Sequence, residues 1–449
     1  MKALNRISVF GLGYVGLTFS ICLARRGFRV IGVDVDLEKI RAISKGVPPF
    51  YEPGLKSYLN RVLNDHLFSC TTDHFQAILN SDVSFICVGT PARSDGDVDL
   101  SYIESVSNDI GEALREKDDY HLIVVRSTVT PGTTEGVVKG IIENVSGKKC
   151  GIDFGLCMNP EFLREGSAIY DVLHPDRIII GEYDKKSGDL LEKIYSEFYG
   201  ESTPPILRTS LANAELIKYA NNAFLAMKIS FINEIANICQ KTPGADVTII
   251  AKALGLDNRI NPKFLNAGLG WGGSCFPKDI KALIKYAESK NCNPILLKAV
   301  NEVNKLQPYK AIELARELIG GLKGKRIAIL GLSFKPNTDD MRNAVSIKII
   351  NELLKEGAKV VAYDPAAMKN AMKIFGDKID FASSALECLK DCDCCIIATE
   401  WDEFKRLSPD DFIVNMKDPA IVDGRRIFDP KKFTSRLKYK AIGLCLNNS

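Results

Sequence analysis

The sequence predicts an α/β protein in which two doubly wound domains are joined by a helical middle domain with a long central helix. Three observations carry this. An apolar strand, a glycine-rich turn, a helix and a second strand follow one another within residues 6–34. The same rhythm restarts at Lys325. Between them, Leu211 to Lys241 contains neither proline nor glycine and carries alanines, aromatics and aliphatics at helical spacing. Strand, helix and strand within about 30 residues is the crossover unit of a parallel sheet, so both ends of the chain read as Rossmann-like.

Taken in order, Arg6–Phe10 is an apolar strand, Gly11–Gly16 a turn, Leu17–Gly27 a helix with small and apolar residues on its packing face, and Phe28–Asp34 a second strand. Val83–Val88, Leu122–Val125 and Asp176–Gly181 read as further strands. Thr203-Pro204-Pro205 breaks the pattern and closes a first domain at 1–205. Helical character then runs from Leu211 to residue 305, interrupted by the glycine-rich loop Gly268–Gly273, and defines a central domain at 206–305. Strand Arg326–Leu330, helix Ser346–Glu356 and strand Lys359–Tyr363 open a third domain at 306–449. Its turn, Gly331-Leu332-Ser333-Phe334-Lys335, stands where Gly11-Leu12-Gly13-Tyr14-Val15 stood but lacks the glycine triplet. A ligand other than a dinucleotide is expected there.

Composition narrows the function classes. At roughly 150 residues per domain, 449 residues allow about three domains. Lysine and arginine number 59 against 56 aspartates and glutamates, with no long run of one sign, which argues against an electrostatic grip on nucleic acid. Hydrophobic residues at 46% and charged residues at 26% exclude wholesale disorder. Thirteen cysteines, an odd number spread along the chain without a secretory signal, fit reduced thiols in a cytoplasm. Val9–Ala24 is apolar but is interrupted by Gly11, Gly13 and Gly16, and no other uncharged apolar run reaches roughly 18 residues, so no membrane span is expected.

Gly11-Leu12-Gly13-Tyr14-Val15-Gly16 matches G-x-G-x-x-G in the context that gives the pattern meaning, after a strand and opening a helix. Asp34 lies 21 residues after Gly13, at the end of the next strand. Its carboxylate is suited to bond the adenosine ribose hydroxyls and to repel a 2′-phosphate, which favours NAD over NADP. Trp271-Gly272-Gly273-Ser274-Cys275-Phe276-Pro277-Lys278-Asp279 places a thiol beside a lysine and a carboxylate in a glycine loop, an arrangement that suits a nucleophile. Cys392 and Cys395 have C-x-x-C spacing, but with Cys394 they lead into the apolar run Cys395–Ala398 and read as a buried strand. Lys218 and Asn222 share one face of the long helix. Asn159–Gly166 offers Glu161 and Glu165 four apart, either as site carboxylates or as acids at a helix start. His66, His74, His121 and His174 form no close cluster, so no metal site is expected.

In these segments, and in Tyr51-Glu52-Pro53-Gly54-Leu55, Val88-Gly89-Thr90-Pro91, Arg126-Ser127-Thr128, Lys218–Asn222, Phe264–Asp279 and Phe334–Arg342, the chain resembles the nucleotide-sugar 6-dehydrogenases. The resemblance runs in order through nearly the whole sequence. It implies a four-electron oxidation of a sugar C6 alcohol to a carboxylate with two NAD+, through a thiohemiacetal and a thioester on Cys275. Lys218 would then stabilise the oxyanion or assist proton removal, with Asn222 as companion donor. Asp279 and Thr128 would hold and activate water, and Glu161 would act as the base in thioester hydrolysis.

The same resemblance places Gly11, Gly13, Tyr14, Val15, Gly16, Asp34, Lys39, Thr90, Thr128, Glu165, Lys278 and Arg342 at the cofactor. It places Glu161, Phe162, Leu163, Arg164, Glu165, Lys218, Asn222, Phe264, Leu265, Asn266, Ala267, Gly268, Gly272 and Lys335 at the sugar nucleotide, with Lys335 suited to its phosphates. Arg259 resembles an arginine that reaches the substrate of a neighbouring subunit, which implies a homodimer or higher oligomer built on the long helix. Ser274-Cys275-Phe276-Pro277-Lys278-Asp279 resembles the branch acting on UDP-glucose, with UDP-N-acetylhexosamines and GDP-mannose as alternatives. A one-step hydroxyacid or polyol dehydrogenase using Lys218 alone is the alternative chemistry.

Overall fold

The computed structural model describes residues 5–446. The chain divides into two compact units, Met1–Asn221 with Lys281–Tyr286, and Asn222–Ile280 with Ala287–Ser449.

The first unit is built on an eight-stranded sheet. Its strands are β1 (Arg6–Phe10), β2 (Arg29–Val33), β3 (Phe68–Thr71), β4 (Val83–Ile86), β5 (His121–Val125), β6 (Phe154–Met158), β7 (Ile178–Glu182) and β8 (Ile206–Ser210), in the spatial order β3-β2-β1-β4-β5-β6-β7-β8. Every neighbouring pair is parallel except β6 with β7, which is antiparallel. β4, β5 and β6 are buried along their whole length, as strands covered on both faces must be, and their sequences VSFI, HLIVV and FGLCM are correspondingly rich in apolar residues. In β1 the alternation of side chains sends Ile7 and Val9 into one core and Phe10 into the other, so each face of the sheet carries its own apolar layer. Each such fully buried side chain contributes about 1.5–3 kcal/mol of transfer free energy.

The second unit carries a six-stranded, all-parallel sheet of β9 (Arg326–Leu330), β10 (Lys359–Tyr363), β11 (Asp380–Phe381), β12 (Cys394–Ile397), β13 (Ala420–Asp423) and β14 (Lys438–Ala441), ordered β11-β10-β9-β12-β13-β14. Cys392, Cys394 and Cys395 are buried at β12, the structural role their apolar context predicts. Helices Val247–Leu256, Phe276–Ser289, Ile295–Leu306 and Tyr309–Ile319 precede β9. Leu211–Cys239 is a single helix of 29 residues, about 43 Å at 1.5 Å per residue, and the boundary between the two units falls within it.

Several local readings differ from the sequence: the helical run expected over 211–305 is broken at 240–246 and over 257–275, well beyond the glycine loop, and two further differences bear on the site. The first helix begins at Tyr14, three residues earlier than expected, because Gly13 in an extended conformation serves as its N-cap. Asn159–Gly166 is not a helix start: the helix begins at Ala168, and Glu161 spends its carboxylate on a lysine and on the amide of Leu163.

Candidate active site

The turn after β1 sits where the strand order reverses between β1 and β4, the place where doubly wound sheets bind ligands. Gly11 has φ +90°, and a Cβ there would meet the Cys87 carbonyl oxygen at 2.9 Å. A Cβ on Gly16 would lie 1.8 Å from the Gly11 carbonyl oxygen, so no side chain fits. A Cβ on Gly13, by contrast, meets nothing within 4 Å. That open space lies at the N-terminus of helix Tyr14–Arg25, whose cap lacks a side-chain acceptor, and it fits a pyrophosphate approaching exposed backbone N–H groups. Asp34 accepts the Leu12 N–H at 2.8 Å and the Lys39 ammonium at 2.8 Å, which fixes its carboxylate at the end of β2 beside the turn. Thr90 donates its hydroxyl to the Thr128 carbonyl at 2.8 Å, joining the loops after β4 and β5.

The corresponding turn after β9 starts in the same way: Gly331 has φ +100° and donates its N–H to Tyr363, as Gly11 does to Val33. Its carboxylate has a different fate. Asp364 accepts the N–H groups of Leu332, Ser333, Ala366 and Ala367, the Ser333 hydroxyl and the Trp401 indole, and is buried by them. The following helix begins only at Val345, 14 residues after Gly331. A carboxylate so occupied, and a helix so displaced, explain why this turn does not repeat the dinucleotide arrangement.

In the loop after β6, Glu161 is buried and its Oε1 accepts the Lys218 ammonium at 2.9 Å, while Oε2 accepts the Leu163 N–H at 2.5 Å. Lys218 donates also to the Glu161 carbonyl at 2.6 Å. Burial alone pushes the Glu161 carboxyl up, but the charge and hydrogen bond of Lys218, the Leu163 N–H and the field of Arg126 outweigh it and hold the group below the usual glutamate range. Arg126, itself buried, bonds Asn159 Oδ1 and the Tyr195 hydroxyl and lies over the Phe19 ring at 4.2 Å. Asn159 in turn donates to the Ile179 carbonyl at 2.8 Å. Arg126, Asn159 and Tyr195 thus form a buried polar floor under Glu161 that sequence reasoning did not assign. Arg126 and Asn159 stood in the segments quoted for the resemblance, so the signal was present without a role.

In the second unit, Cys275 is exposed and caps the N-terminus of helix Phe276–Ser289, a position that favours negative charge on sulfur. Most other thiols are held inert by burial: those of Cys22, Cys87 and Cys150 are pushed up to about 12 and that of Cys392 to about 11. One turn along the same helix, buried Asp279 accepts Asn222 Nδ2 at 2.7 Å through one oxygen and the Lys278 ammonium at 2.7 Å through the other. Gly272 has no room for a Cβ, which would lie 2.3 Å from the Asn343 carbonyl oxygen. Gly273 donates its N–H to the Arg342 carbonyl at 2.9 Å and accepts from Asn343 Nδ2 at 3.2 Å. The cysteine loop and the segment carrying Lys335 and Arg342 are therefore brought together.

Other expected site residues are placed as follows. Phe162 lies under the Arg177 guanidinium at 4.2 Å. Arg164 forms a two-pronged pair with Asp171, Arg342 with Asp340, and Arg259 with Asp257. Leu265 and Ala267 are buried in the apolar core, and Phe264 holds φ +66°, a strained value for a residue with a bulky side chain. Gly268 donates to Asn233 Oδ1 at 2.8 Å and accepts from Gln307 Nε2 at 2.8 Å.

A dinucleotide turn at the switch point of one sheet, a second Rossmann-like sheet without one, and an exposed cysteine at a helix N-terminus define a nicotinamide-dependent oxidoreductase with a separate nucleotide-binding half. Comparison with known proteins makes this specific. Residues 5–199 match the NAD-binding domain, 212–306 the central domain and 328–430 the UDP-binding domain of the UDP-glucose/GDP-mannose dehydrogenase family. The chain belongs to this family, and its cofactor is NAD. It is 44% identical over 422 residues to UDP-glucose 6-dehydrogenase AglM of Haloferax volcanii, covering 94% of this chain and 96% of that protein. UDP-glucose 6-dehydrogenase TuaD of Bacillus subtilis is 42% identical, over 95% of this chain and 90% of its own length. The UDP-glucose dehydrogenase structure from the archaeon Pyrobaculum islandicum superposes with TM-score 0.90 at 39% identity, covering 98% of this chain and 97% of that one. The UDP-D-ManNAc dehydrogenase of Pyrococcus horikoshii gives TM-score 0.86 at 30% identity, over 97% and 99%.

Proposed function

We propose that this protein oxidises UDP-glucose to UDP-glucuronate with NAD+, with Cys275 as the covalent nucleophile. The observation that carries the reading is Cys275 itself, exposed on the glycine loop at a helix N-terminus while most other cysteines are buried. Bound NAD+ supplies a two-electron hydride acceptor for each of the two oxidations. Gly11, Gly13, Tyr14, Val15, Gly16, Asp34, Lys39, Thr90, Thr128, Glu165, Lys278 and Arg342 are the residues assigned to hold it.

As the C6 alcohol loses its first hydride to become an aldehyde, its hydroxyl proton passes to a water held by Asp279 and Thr128, while the Lys218 ammonium stabilises the oxyanion at that step and again on the aldehyde under attack. The Cys275 sulfur adds to that aldehyde carbon; the C–S bond forms as the carbonyl π electrons move to oxygen, and the thiol proton passes to that oxygen, giving a thiohemiacetal. Loss of its C6 hydride and hydroxyl proton leaves a thioester. A water held by Asp279 and Thr128 then adds to the thioester carbon, Glu161 takes the water proton, and the C–S bond breaks to release the carboxylate and the Cys275 thiol. Asn222 fixes the Asp279 carboxylate for this step, consistent with their 2.7 Å bond. Phe162, Leu163, Arg164, Phe264, Asn266, Gly268, Gly272 and Lys335 are assigned to the sugar nucleotide.

Phe224, Phe231 and Ile238 are 58%, 47% and 58% exposed and recur every seven residues on the long helix. That apolar stripe supports a homodimer packed along this helix, in which Arg259 reaches the partner's substrate. None of the thirteen cysteines, all within the described residues, is joined in a disulfide, which supports a reducing, cytoplasmic setting. The test is Cys275→Ser: UDP-glucuronate production stops while NADH binding persists. Full acid production by that variant contradicts the reading.

A further inference from the structure

The segment Tyr51-Glu52-Pro53-Gly54-Leu55 belongs to the resemblance but has no role in the chemistry above. Glu52 is buried, and its two carboxylate oxygens reach across the fold to the loop that follows Glu161. Oε2 accepts the N–H of Gly166 at 2.6 Å and Oε1 accepts the N–H of Ala168 at 2.7 Å. The first donor belongs to the turn next to Glu165; the second opens helix Ala168–Leu173, whose N-cap residue Ser167 makes no side-chain cap bond. One carboxylate thereby does for this loop what a capping residue does for a helix, but from 114 residues away.

The opposite end of the same segment holds the dinucleotide turn. Tyr14, from Gly11–Gly16, donates its hydroxyl to the Tyr51 carbonyl at 3.0 Å and stacks on Phe50 with ring centroids 3.9 Å apart. Glu52 is itself anchored: its carbonyl accepts the Leu55 N–H at 3.2 Å, and helix Leu55–Asn64 buries Leu55, Leu59 and Val62 in the core that holds Leu17 and Ile21. Phe50–Gly54 is thus a strap with the cofactor turn at one end and the sugar-side loop at the other.

We infer that Glu52 is a positioning residue for the nucleotide sugar, holding Glu161–Gly166 in register with the dinucleotide turn through the paired N–H bonds of Gly166 and Ala168. This rests on the assignment of Glu161–Glu165 to the sugar. Glutamine at this position offers one acceptor oxygen where two are used, and its NH2 group faces an N–H donor. Aspartate, one methylene shorter, reaches one donor at a time.

The test uses the full chain as wild type, Glu52→Gln and Glu52→Asp. Hydrogen exchange is read on the peptide containing Gly166 and Ala168 and on the peptides of the buried strands β4 and β5, together with the UDP-glucose KM and kcat. In Glu52→Gln, exchange at the Gly166 and Ala168 amides rises by about tenfold and KM rises by about tenfold, while exchange in β4 and β5 stays as in the wild type. Glu52→Asp falls between and keeps the test alive where the glutamine variant does not fold. Unchanged exchange overturns the inference, as does faster exchange with unchanged KM. Exchange that rises equally in β4 and β5 also overturns it, because Glu52 then merely supports the whole sheet domain. If the wild type itself fails to turn over UDP-glucose, the functional reading has failed on its own, and exchange with and without each alternative sugar nucleotide still decides the role of Glu52.

Discussion

Replacing Lys218 by methionine removes the cation that neutralises buried Glu161 and keeps a side chain of similar length. The carboxylate then retains the Leu163 N–H at 2.5 Å and the field of Arg126, but loses the ammonium at 2.9 Å. Removing one partner of a buried ion pair costs about 3–5 kcal/mol, because the other is left as an uncompensated charge. The double variant Lys218→Met/Glu161→Gln carries no such charge and recovers most of the loss. The sign of the pH dependence is equally specific. In the parent, Glu161 is held below the usual range, so its contribution is complete above the unfolded value of about 4.3 and is lost as pH falls through the lower folded value. In Lys218→Met the strongest opposing influence is gone and burial raises the group, so destabilisation grows as pH rises above the unfolded value. Equilibrium urea unfolding between about pH 5 and pH 8 measures this: the gap between parent and variant widens with pH. A gap that is constant with pH, or a double variant as unstable as the single, refutes the reasoning.

Other outcomes are as definite. Gly16→Ala forces a Cβ to 1.8 Å from the Gly11 carbonyl oxygen, so the turn must shift and NADH binding, read by fluorescence titration, falls by at least about a hundredfold or is lost. Asp34→Asn removes the charge that repels a 2′-phosphate, so the ratio of kcat/KM for NAD+ over NADP+ drops by about tenfold or more. Phe231→Glu places a charge in the exposed stripe of the long helix and shifts sedimentation toward the monomer, with little change in thermal midpoint at low concentration.

The N-terminal strand, turn, helix and strand were legible because they obey local rules: three glycines at fixed spacing, a carboxylate 21 residues on, and alternating apolar runs. The long helix was legible for the same reason. β3, β6 and β8 were not. β3 reads FSCT, with only Phe68 buried; β6 carries Gly155 and Cys157; and β8 is a half-exposed edge whose order depends on pairing with β7. Those strands exist because neighbours offer hydrogen bonds and cover, which no local window contains.

The candidate site divides along the same line. Cys275, Asp279 and Lys218 could be named from motif and resemblance, but which carboxylate meets which cation could not. Glu161 with Lys218 spans 57 residues, and Asn222 with Asp279 spans 57, so both pairings are products of tertiary folding. Arg126, Asn159 and Tyr195 illustrate the remainder: three ordinary-looking residues whose contact in a buried layer supplies part of the field on Glu161. The occupied carboxylate of Asp364 is a similar case. Absence of a glycine triplet predicted that the second turn differs, while the six donors that consume its aspartate appear only in the fold.

The central claim is a double oxidation through a cysteine thioester, and counting NADH formed per molecule of limiting UDP-glucose tests it most directly. UDP-N-acetylmannosamine and GDP-mannose run in parallel. Two NADH per UDP-glucose, with UDP-glucuronate as the product, is the expected result. One NADH per sugar, with the aldehyde released, contradicts it.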